Sequence, residues 1–215
     1  MYDTLDIPNF LPDELIQQTT SRVYETSVDK TDLVDKWGVW KGKHVTTQHW
    51  VPKDQAKYVF GEIVDKLRTI LTRPFEIDLG QILQSHLAYD IHTDYFIQVD
   101  RVVDKLEGKP YYTLIIPLAD FNSNTIVFNE SAEYNEFYKY KEKNTQLLDH
   151  ISDNDWSKYC SHCWKDDQKY LSLDAVCNWQ KGKLIGFDRH KFHCSDNFTE
   201  KIELKEAFVL WLRER

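Results

Sequence analysis

Apolar side chains recur every three or four residues along residues 52–71, which predicts an amphipathic helix with one buried face. Pro52 suits a first helical position, and Pro74 follows shortly after the expected end. A second helix is predicted over residues 12–25, because a proline followed by two acidic residues favours a helix start. The apolar stripe of the first helix consists of Ala56, Val59, Phe60, Ile63, Val64, Leu67 and Leu71.

From residue 76 onward the apolar period changes to two, which is the spacing of a half-buried β-strand. This alternation runs from Ile77 toward Tyr89. Four later segments are short, apolar and bounded by turn residues, namely residues 111–118, 125–128, 183–187 and 207–212. Many short strands preceded by two helices predict a mainly β fold with flanking helices, either a β-sandwich or a jelly-roll barrel.

Residues 131–181 interrupt this pattern with a polar and aromatic stretch. We interpret it as an insert, helical over 132–150 and irregular afterwards, because long inserts between strands commonly carry lids or binding loops. Its Tyr, Trp and Phe side chains are expected to contact a substrate, unless the insert packs on the far side of the barrel. The whole chain, 1–215, is predicted to be a single domain, with helical support over 10–72 and barrel strands over 76–130 and 182–213.

Composition narrows the class of protein. Hydrophobic residues make up 41% and aromatic residues 14% of the 215 residues, enough for a sizeable core. The net charge of −8 disfavours a binder of phosphate backbones, so nucleic acid is not an expected partner. The first ten residues do not resemble a signal peptide, and no apolar run reaches the length of a membrane span. We therefore expect a soluble, cytoplasmic protein without a membrane partner, whose four cysteines are thiols.

The segment SHLAYDIHTDYF places His92 and Asp94 two residues apart. In a strand, residues i and i+2 point to the same face, so an imidazole nitrogen and a carboxylate oxygen would converge. A second histidine from another strand would complete two His and one carboxylate, a set that suits non-haem Fe(II) with open positions. Alone the triplet is weak evidence, because a surface His beside a solvated Asp would give the same pattern.

Three further segments carry a resemblance to a known family. They are PNFLP before the first helix, YYTLIIPLADFNSNTIVFN over residues 111–129, and GKLIGFDRHKFHCSDNF over residues 182–198. Together with His-x-Asp, their order resembles the Fe(II)- and 2-oxoglutarate-dependent oxygenase superfamily, and the start is similar to prolyl-hydroxylase-type members. That family has a double-stranded β-helix, a cupin-like jelly roll, so the resemblance favours the barrel over the plain sandwich. The insert and residues 26–50 match no part of the family.

The resemblance implies that Fe(II) is held by His92, Asp94 and a distal His, and that 2-oxoglutarate and dioxygen take the open positions. His193 fits the family spacing best, with His190 as its competitor. The implied reaction is oxidative decarboxylation of 2-oxoglutarate coupled to hydroxylation of a small-molecule or peptidyl substrate. Retention of Asp94 favours hydroxylation over halogenation, which needs that ligand position for a halide.

The resemblance also implies residues that bind the co-substrate. The family usually places an Arg at the opening of the strand after the distal His, and Lys205 stands there in this chain. Tyr112 is a further candidate for the same carboxylate. The spacing of Asn197 after His193 is similar to the phytanoyl-CoA-hydroxylase branch, so Asn197 is assigned to cofactor binding as well. Other cations that could replace Lys205 are Lys201, Arg189 and Arg213.

Three alternatives remain open from the sequence. Cys160 and Cys163 form a C-x2-C knuckle that would be half of a zinc site, which Cys177 or His150 could complete. The chain could also be a non-catalytic jelly-roll module that binds sugar or peptide, or a metal-dependent cupin without a keto-acid. The presence of all three candidate metal ligands argues against the non-catalytic module, and Lys205 argues against the cupin without a keto-acid.

Overall fold

The computed structural model describes residues 2–29, 39–40, 43–44, 46–85, 88–95, 109–133, 137–144, 150–196 and 204–215. Within these ranges the strands are β1 (Leu5–Ile7), β2 (Val28–Asp29), β3 (Val39–Trp40), β4 (Lys43–His44), β5 (Thr46–Val51), β6 (Phe75–Ser85), β7 (Pro110–Pro117), β8 (Phe121–Ser131), β9 (Leu173–Trp179), β10 (Leu184–Asp188), β11 (Lys191–Ser195) and β12 (Lys205–Glu214). The helices are α1 (Asp13–Thr26), α2 (Ala56–Leu67), α3 (Phe137–Lys143) and α4 (Asp153–Tyr159), followed by a 3-10 helix over Lys165–Tyr170.

Two antiparallel sheets form the body of the fold. The large sheet has the strand order β1-β10-β7-β12-β6-β5-β2, and the small sheet has the order β11-β8-β9. Their inner faces share one apolar core, which contains Phe187 and Val209 from the large sheet and Val127 and Cys177 from the small sheet. Two facing antiparallel sheets confirm the predicted mainly β, jelly-roll architecture.

Both predicted helices are confirmed, and they cover the outer face of the large sheet. Their buried side chains, such as Phe60 and Ile63 of α2, pack in one core with Leu114 and Phe208 from the strands. Helix α2 begins at Ala56, later than the sequence predicts, because residues 52–55 form a turn in which the Gln55 amide donates to the Pro52 carbonyl over 2.9 Å. None of the described helices is both long and apolar enough to cross a bilayer.

Gly182 explains why a glycine precedes strand β10. Its φ is +72°, in the left-handed region that favours glycine. An added Cβ would lie 2.3 Å from the Leu11 carbonyl oxygen, so a larger residue does not fit without backbone movement. The Leu11 amide donates to the Gly182 carbonyl over 2.8 Å, and the Gly182 amide donates to the Pro117 carbonyl over 2.9 Å. This glycine therefore joins the start of α1 to the large sheet.

The insert is shorter than the sequence predicts. Residues assigned to its end form strand β9, which pairs with β8 in the small sheet. Cys177 and Trp179 are buried there, whereas Asp174 and Asn178 are exposed. Because polar residues alternate with the buried ones, the sequence pattern did not reveal this strand within the polar stretch. The predicted end of the insert at residue 181 is therefore wrong.

The rest of the described insert packs on the outer face of the small sheet. Its side chains Phe137, Trp156 and Leu171 form a core with Phe128 and Phe192 from the strands. The expectation that the aromatic side chains of the insert contact substrate is therefore wrong for Phe137 and Trp156. The physical reason is that the outer face of the small sheet is itself apolar and needs a cover.

Candidate metal centre

Two histidines face each other across adjacent backbone segments. The His92 amide donates to the His193 carbonyl over 3.1 Å, and the His193 amide donates back to the His92 carbonyl over 2.9 Å. Their ring centroids are 4.2 Å apart. His193 also packs against Phe187, whose ring centroid lies 4.3 Å away. Strand β11 thus fixes His193, and this reciprocal pair of backbone bonds fixes His92 opposite it.

Asp94 lies on the same side as the two imidazoles. Its amide donates to the Arg189 carbonyl over 3.1 Å, so the segment that carries His92 and Asp94 runs beside the residues leading into β11. The Thr113 hydroxyl donates to Asp94 Oδ2 over 2.6 Å. The carboxylate is buried, and this short hydrogen bond holds its orientation.

The three side chains bring their donor atoms together. Asp94 oxygens lie 3.9 Å from His92 Nε2 and 3.6 Å from His193 Nε2. One ligand atom from each residue lies within 4.8 Å of the other two. Oxygen and nitrogen atoms at such separations can share one divalent cation, since metal–ligand bonds to His and Asp are about 2.0–2.2 Å long. The arrangement is the two-His, one-carboxylate set that the sequence predicts.

The protonation states suit a cation. His92 Nδ1 lies 2.6 Å from the Asp90 carbonyl, and His193 Nδ1 lies 3.2 Å from the Lys191 carbonyl. A carbonyl can only accept, so each Nδ1 donates a proton there, which leaves Nε2 as the ring nitrogen that can bind a metal. Burial, followed by the neighbouring His92, lowers the pKa of His193 to about 4, which keeps the ring neutral.

Asp94 remains ionised despite its burial. Burial alone would raise the pKa of this carboxyl, but the positive charges of His193 and His92, when those rings are protonated, and the hydrogen bond from the Thr113 hydroxyl lower it below the ordinary value. A buried anion beside two imidazole lone pairs is an uncompensated charge that a cation would neutralise.

The structure separates His190 from this group. His190 Nδ1 lies 2.7 Å from Asp188 Oδ1, and its ring packs against Tyr95 at 4.9 Å between centroids. The register of β11 against β8 shifts between Lys191 and His193, so simple alternation from His190 does not apply. His193 is therefore the histidine brought to His92 and Asp94.

Arg189 and Asp78 support the site, a role that the sequence pattern does not indicate. Arg189 is fully buried and donates to the Asp94 carbonyl over 3.1 Å and 3.3 Å. Its Nη1 donates to Asp78 Oδ2 over 3.0 Å. Arg189 was considered for co-substrate binding, and its buried pairing excludes that role without rearrangement. The sequence feature that could have indicated this role is the position of Arg189 just before strand β11, which carries the candidate ligand His193.

Lys205 reaches into the space between the sheets. It is 4% exposed, its Nζ donates to Ser123 Oγ over 3.0 Å, and Nζ lies 3.8 Å from the centre of the Trp179 ring. Ser123 in turn donates to Asp196. Ser123 and Trp179 also line a cavity of about 440 Å³ between the start of β8 and the end of β9.

Tyr112 was wrongly predicted to bind co-substrate. Its hydroxyl donates to the Asp3 carbonyl over 3.0 Å, and its ring packs against Tyr2 and Tyr111. Because side chains alternate along β7, a Thr113 that faces Asp94 turns Tyr112 to the opposite face of the sheet. Asn197, the other predicted cofactor contact, lies outside the described residues, as does Lys201.

The structure also tests which residues join the cysteine knuckle. Cys177 lies in the core between the two sheets, whereas Cys160 lies in the core under the insert. His150 is exposed at the edge of the insert. Neither of the two predicted partners therefore joins Cys160 and Cys163.

No protein-family model and no curated protein matches the chain by sequence. Solved structures match by fold. The epimerase SnoN in complex with Fe3+, alpha ketoglutarate and nogalamycin RO superposes with a TM-score of 0.57 at 10% identity, over 98% of this chain and 78% of that one. HygX from Streptomyces hygroscopicus, with nickel, 2-oxoglutarate and hygromycin B bound, gives a TM-score of 0.52 at 14% identity, over 98% and 82%.

EctD from S. alaskensis, solved with 2-oxoglutarate and 5-hydroxyectoine, gives a TM-score of 0.56 at 11% identity, over 98% of this chain and 72% of that one. At such identities the likeness concerns the fold. The chain therefore has the double-stranded β-helix fold of the Fe(II)- and 2-oxoglutarate-dependent oxygenases, as its sequence resemblance predicts.

Proposed function

We propose that this chain is an Fe(II)- and 2-oxoglutarate-dependent dioxygenase that hydroxylates a small molecule. The observation that carries the proposal is the convergence of His92, Asp94 and His193, with each Nδ1 directed at a backbone carbonyl and the carboxylate ionised. This donor set fits Fe(II), which binds imidazole and carboxylate at one face and leaves other positions open.

His92, Asp94 and His193 would coordinate the iron, and neighbouring residues would keep these three side chains in position. Bound iron would supply activation of dioxygen, driven by oxidative decarboxylation of 2-oxoglutarate to succinate. Thr113 fixes one oxygen of Asp94, and Arg189 fixes the backbone carbonyl of the same residue. Phe187 packs on His193 and limits water beside it. Each of these contacts restricts the ligands before any metal binds.

Lys205 is our candidate for the distal carboxylate of 2-oxoglutarate. It lies on the inner face of β12, two residues from Ala207 in the core between the sheets. Support comes from its burial and from its hydrogen bond to Ser123, which holds the ammonium group in the space between the sheets. A charged pair of this kind is stronger than a neutral hydrogen bond. A Lys gives one compact charge where an Arg would give a bidentate fork.

The choice of a small molecule rests on the solved structures with this fold. Those of SnoN, HygX and EctD contain nogalamycin RO, hygromycin B and 5-hydroxyectoine, respectively. A peptidyl substrate is the alternative within the same chemistry. Because SnoN is described as an epimerase, the fold also accommodates outcomes other than hydroxylation.

The decisive test is anaerobic addition of Fe(II) and then 2-oxoglutarate to the purified chain. We expect the visible absorption band of a keto-acid chelated to iron, and its absence in Asp94→Ala. Succinate should then form under air, and a substrate panel should reveal a product heavier by one oxygen atom. Absence of the band would reject the proposal. Binding of both without any succinate would favour a non-catalytic binding module.

A further inference from the structure

A second cluster of potential ligands lies on the other side of strand β11. Cys160 follows α4, and the Cys163 amide donates to the Cys160 carbonyl over 2.9 Å, which closes a tight turn. Cys194 comes from β11 and faces the core under the insert, together with Cys160. The turn after α4 and strand β11 therefore lie next to each other, although they are far apart in the sequence.

The donor atoms of this cluster are close enough to share an ion. His162, Cys163 and Cys194 each place one ligand atom within 4.8 Å of the other two. Cys163 Sγ lies 3.4 Å from His162 Nε2. Cys194 contacts the thiols of both Cys160 and Cys163. All four cysteines of the chain are free thiols, so none of these sulfurs is committed to a disulfide.

The 3.4 Å between Cys163 Sγ and His162 Nε2 matches the separation of two ligands in a tetrahedral metal site. Zinc bonds of about 2.3 Å to sulfur and about 2.0 Å to nitrogen, at tetrahedral angles, place S and N ligands about 3.5 Å apart and two S ligands about 3.8 Å apart. We propose that His162, Cys163 and Cys194 bind one structural Zn2+ ion, and that Cys160, whose thiol contacts that of Cys194, moves in as the fourth ligand when the metal binds. The site is a Cys3His set in which the knuckle supplies three ligands and strand β11 supplies the fourth.

The chemistry of the donors favours zinc over the iron expected on the inner face. Three thiolates and one imidazole form a soft set that is closed at four ligands, whereas open sites with carboxylate suit Fe(II). Hydrogen bonding from Cys194, then from His162, lowers the pKa of the Cys163 thiol to about 6 against the opposing effect of burial. Burial, by contrast, raises the pKa of the Cys194 thiol well above its ordinary value, so zinc would have to displace that proton.

Zinc would replace existing hydrogen bonds in the cluster. His162 Nε2 lies 3.2 Å from the Tyr89 carbonyl, to which it can donate while no metal is bound. On zinc binding Nε2 becomes a ligand, the neutral ring carries its proton on Nδ1 instead, and the remaining thiol protons leave to solvent. The ion would then tie the insert to β11 beside His193, and so stiffen the wall that carries a ligand of the inner site.

The test uses metal analysis of the full chain, with the inner site removed so that zinc cannot bind there. The Asp94→Ala variant, purified under reducing conditions, incubated with zinc and freed of loose metal on a chelating resin, should retain one zinc per chain. The double variant Asp94→Ala/Cys163→Ser should retain none. The matched control Asp94→Ala/Cys177→Ser removes a buried thiol outside the cluster and should keep its zinc.

A spectroscopic measurement covers the case in which the Cys163 variant does not fold. Cobalt(II) added to the metal-free Asp94→Ala chain should give the intense visible bands of tetrahedral coordination and a near-ultraviolet thiolate charge-transfer band, and zinc should abolish both. Absence of zinc from Asp94→Ala, retention of zinc after Cys163→Ser, or lack of the cobalt bands would each overturn the proposal. So would a Cys163–Cys194 disulfide in the freshly purified chain.

Discussion

Strand β11 presents two neighbouring side chains to opposite faces, and the two faces differ in chemistry. His193 points into the space between the sheets, where it meets His92 and Asp94. Cys194 points outward, where it meets the knuckle Cys160–Cys163. The inner group offers nitrogen and oxygen, and the outer group offers mainly sulfur. Strand alternation alone therefore separates a hard, open donor set from a soft, closed one.

The two faces also differ in what supports them. The inner donors are held by single, directed contacts from Thr113 and from backbone carbonyls. The outer donors are held by a tight turn and by an apolar core. We therefore expect substitutions on the inner face to affect chemistry more than folding, and those on the outer face to do the reverse.

The largest effect should follow removal of the inner carboxylate. Asp94→Ala is expected to abolish Fe(II)-dependent succinate formation, because two imidazoles alone bind the metal weakly. Circular dichroism should remain that of the wild type, since ligands at an open site add less to folding than a core does. Turnover close to wild type in the variant would place the metal elsewhere.

Acid should weaken the inner face of the metal-free protein. The pKa of His193 is about 4 in the fold, below the ordinary value of 6.5. Above pH 6.5 the ring is neutral in both states, whereas between about 6.5 and 4 only the unfolded chain takes up this proton. Stability is therefore lost as pH falls through that window, by up to about 3 kcal/mol.

Urea unfolding of the metal-free chain at pH values across this window measures the loss. His193→Gln has no titrating ring at this position and should show a shallower pH dependence than the wild type. Equal slopes for the two proteins would mean that other groups account for the acid sensitivity.

Lys205→Ala should weaken 2-oxoglutarate binding without removing iron. Loss of one charge-assisted pair costs about 2 kcal/mol, or about 30-fold in affinity. The matched control is Lys183→Ala, because Lys183 is also buried but pairs with Asp6 and Asn178. Titration of the iron–keto-acid band gives both affinities. Unchanged affinity in Lys205→Ala, or an equal loss in the control, would remove Lys205 from the site.

The smallest effect should come from Thr113→Val, which keeps the side-chain shape and removes the hydroxyl bound to Asp94. Contacts that orient a metal ligand are worth about tenfold or more in metal affinity, so Fe(II) binding should weaken by about that factor. Thr19→Val is the control, since the buried Thr19 hydroxyl has no hydrogen-bond partner among the described residues. A comparable loss in both variants would indicate a general effect on folding.

Much of the fold follows from the periodicity of the sequence. Helix α2 and strands β6, β7 and β12 have strong apolar patterns, because each covers or lines a core. Strand β9 was missed, because polar residues alternate with its buried ones and its surroundings are polar. Whether a segment is a helix or a strand is therefore predictable from sequence when the segment is long and one of its faces is buried.

The candidate site was predictable in part. The spacing of His92 and Asp94 and the family spacing of His193 selected three residues that the structure brings together. Tyr112 was assigned to the wrong face, although alternation from Thr113 would have placed it outside. Cys194 could not be linked to the knuckle from spacing, because that contact depends on where the insert folds back. Long-range contacts of this kind are set by tertiary packing.

Strand β12 has a consequence for how the protein is made. It pairs along most of its length with β6 on one side and β7 on the other, and both partners precede it by a long stretch of chain. Until β12 emerges from the ribosome, these two partners expose apolar faces and unpaired edges that invite association with other chains. Slow, non-local closure of the large sheet should make yield in a producing cell sensitive to temperature and to chaperone supply.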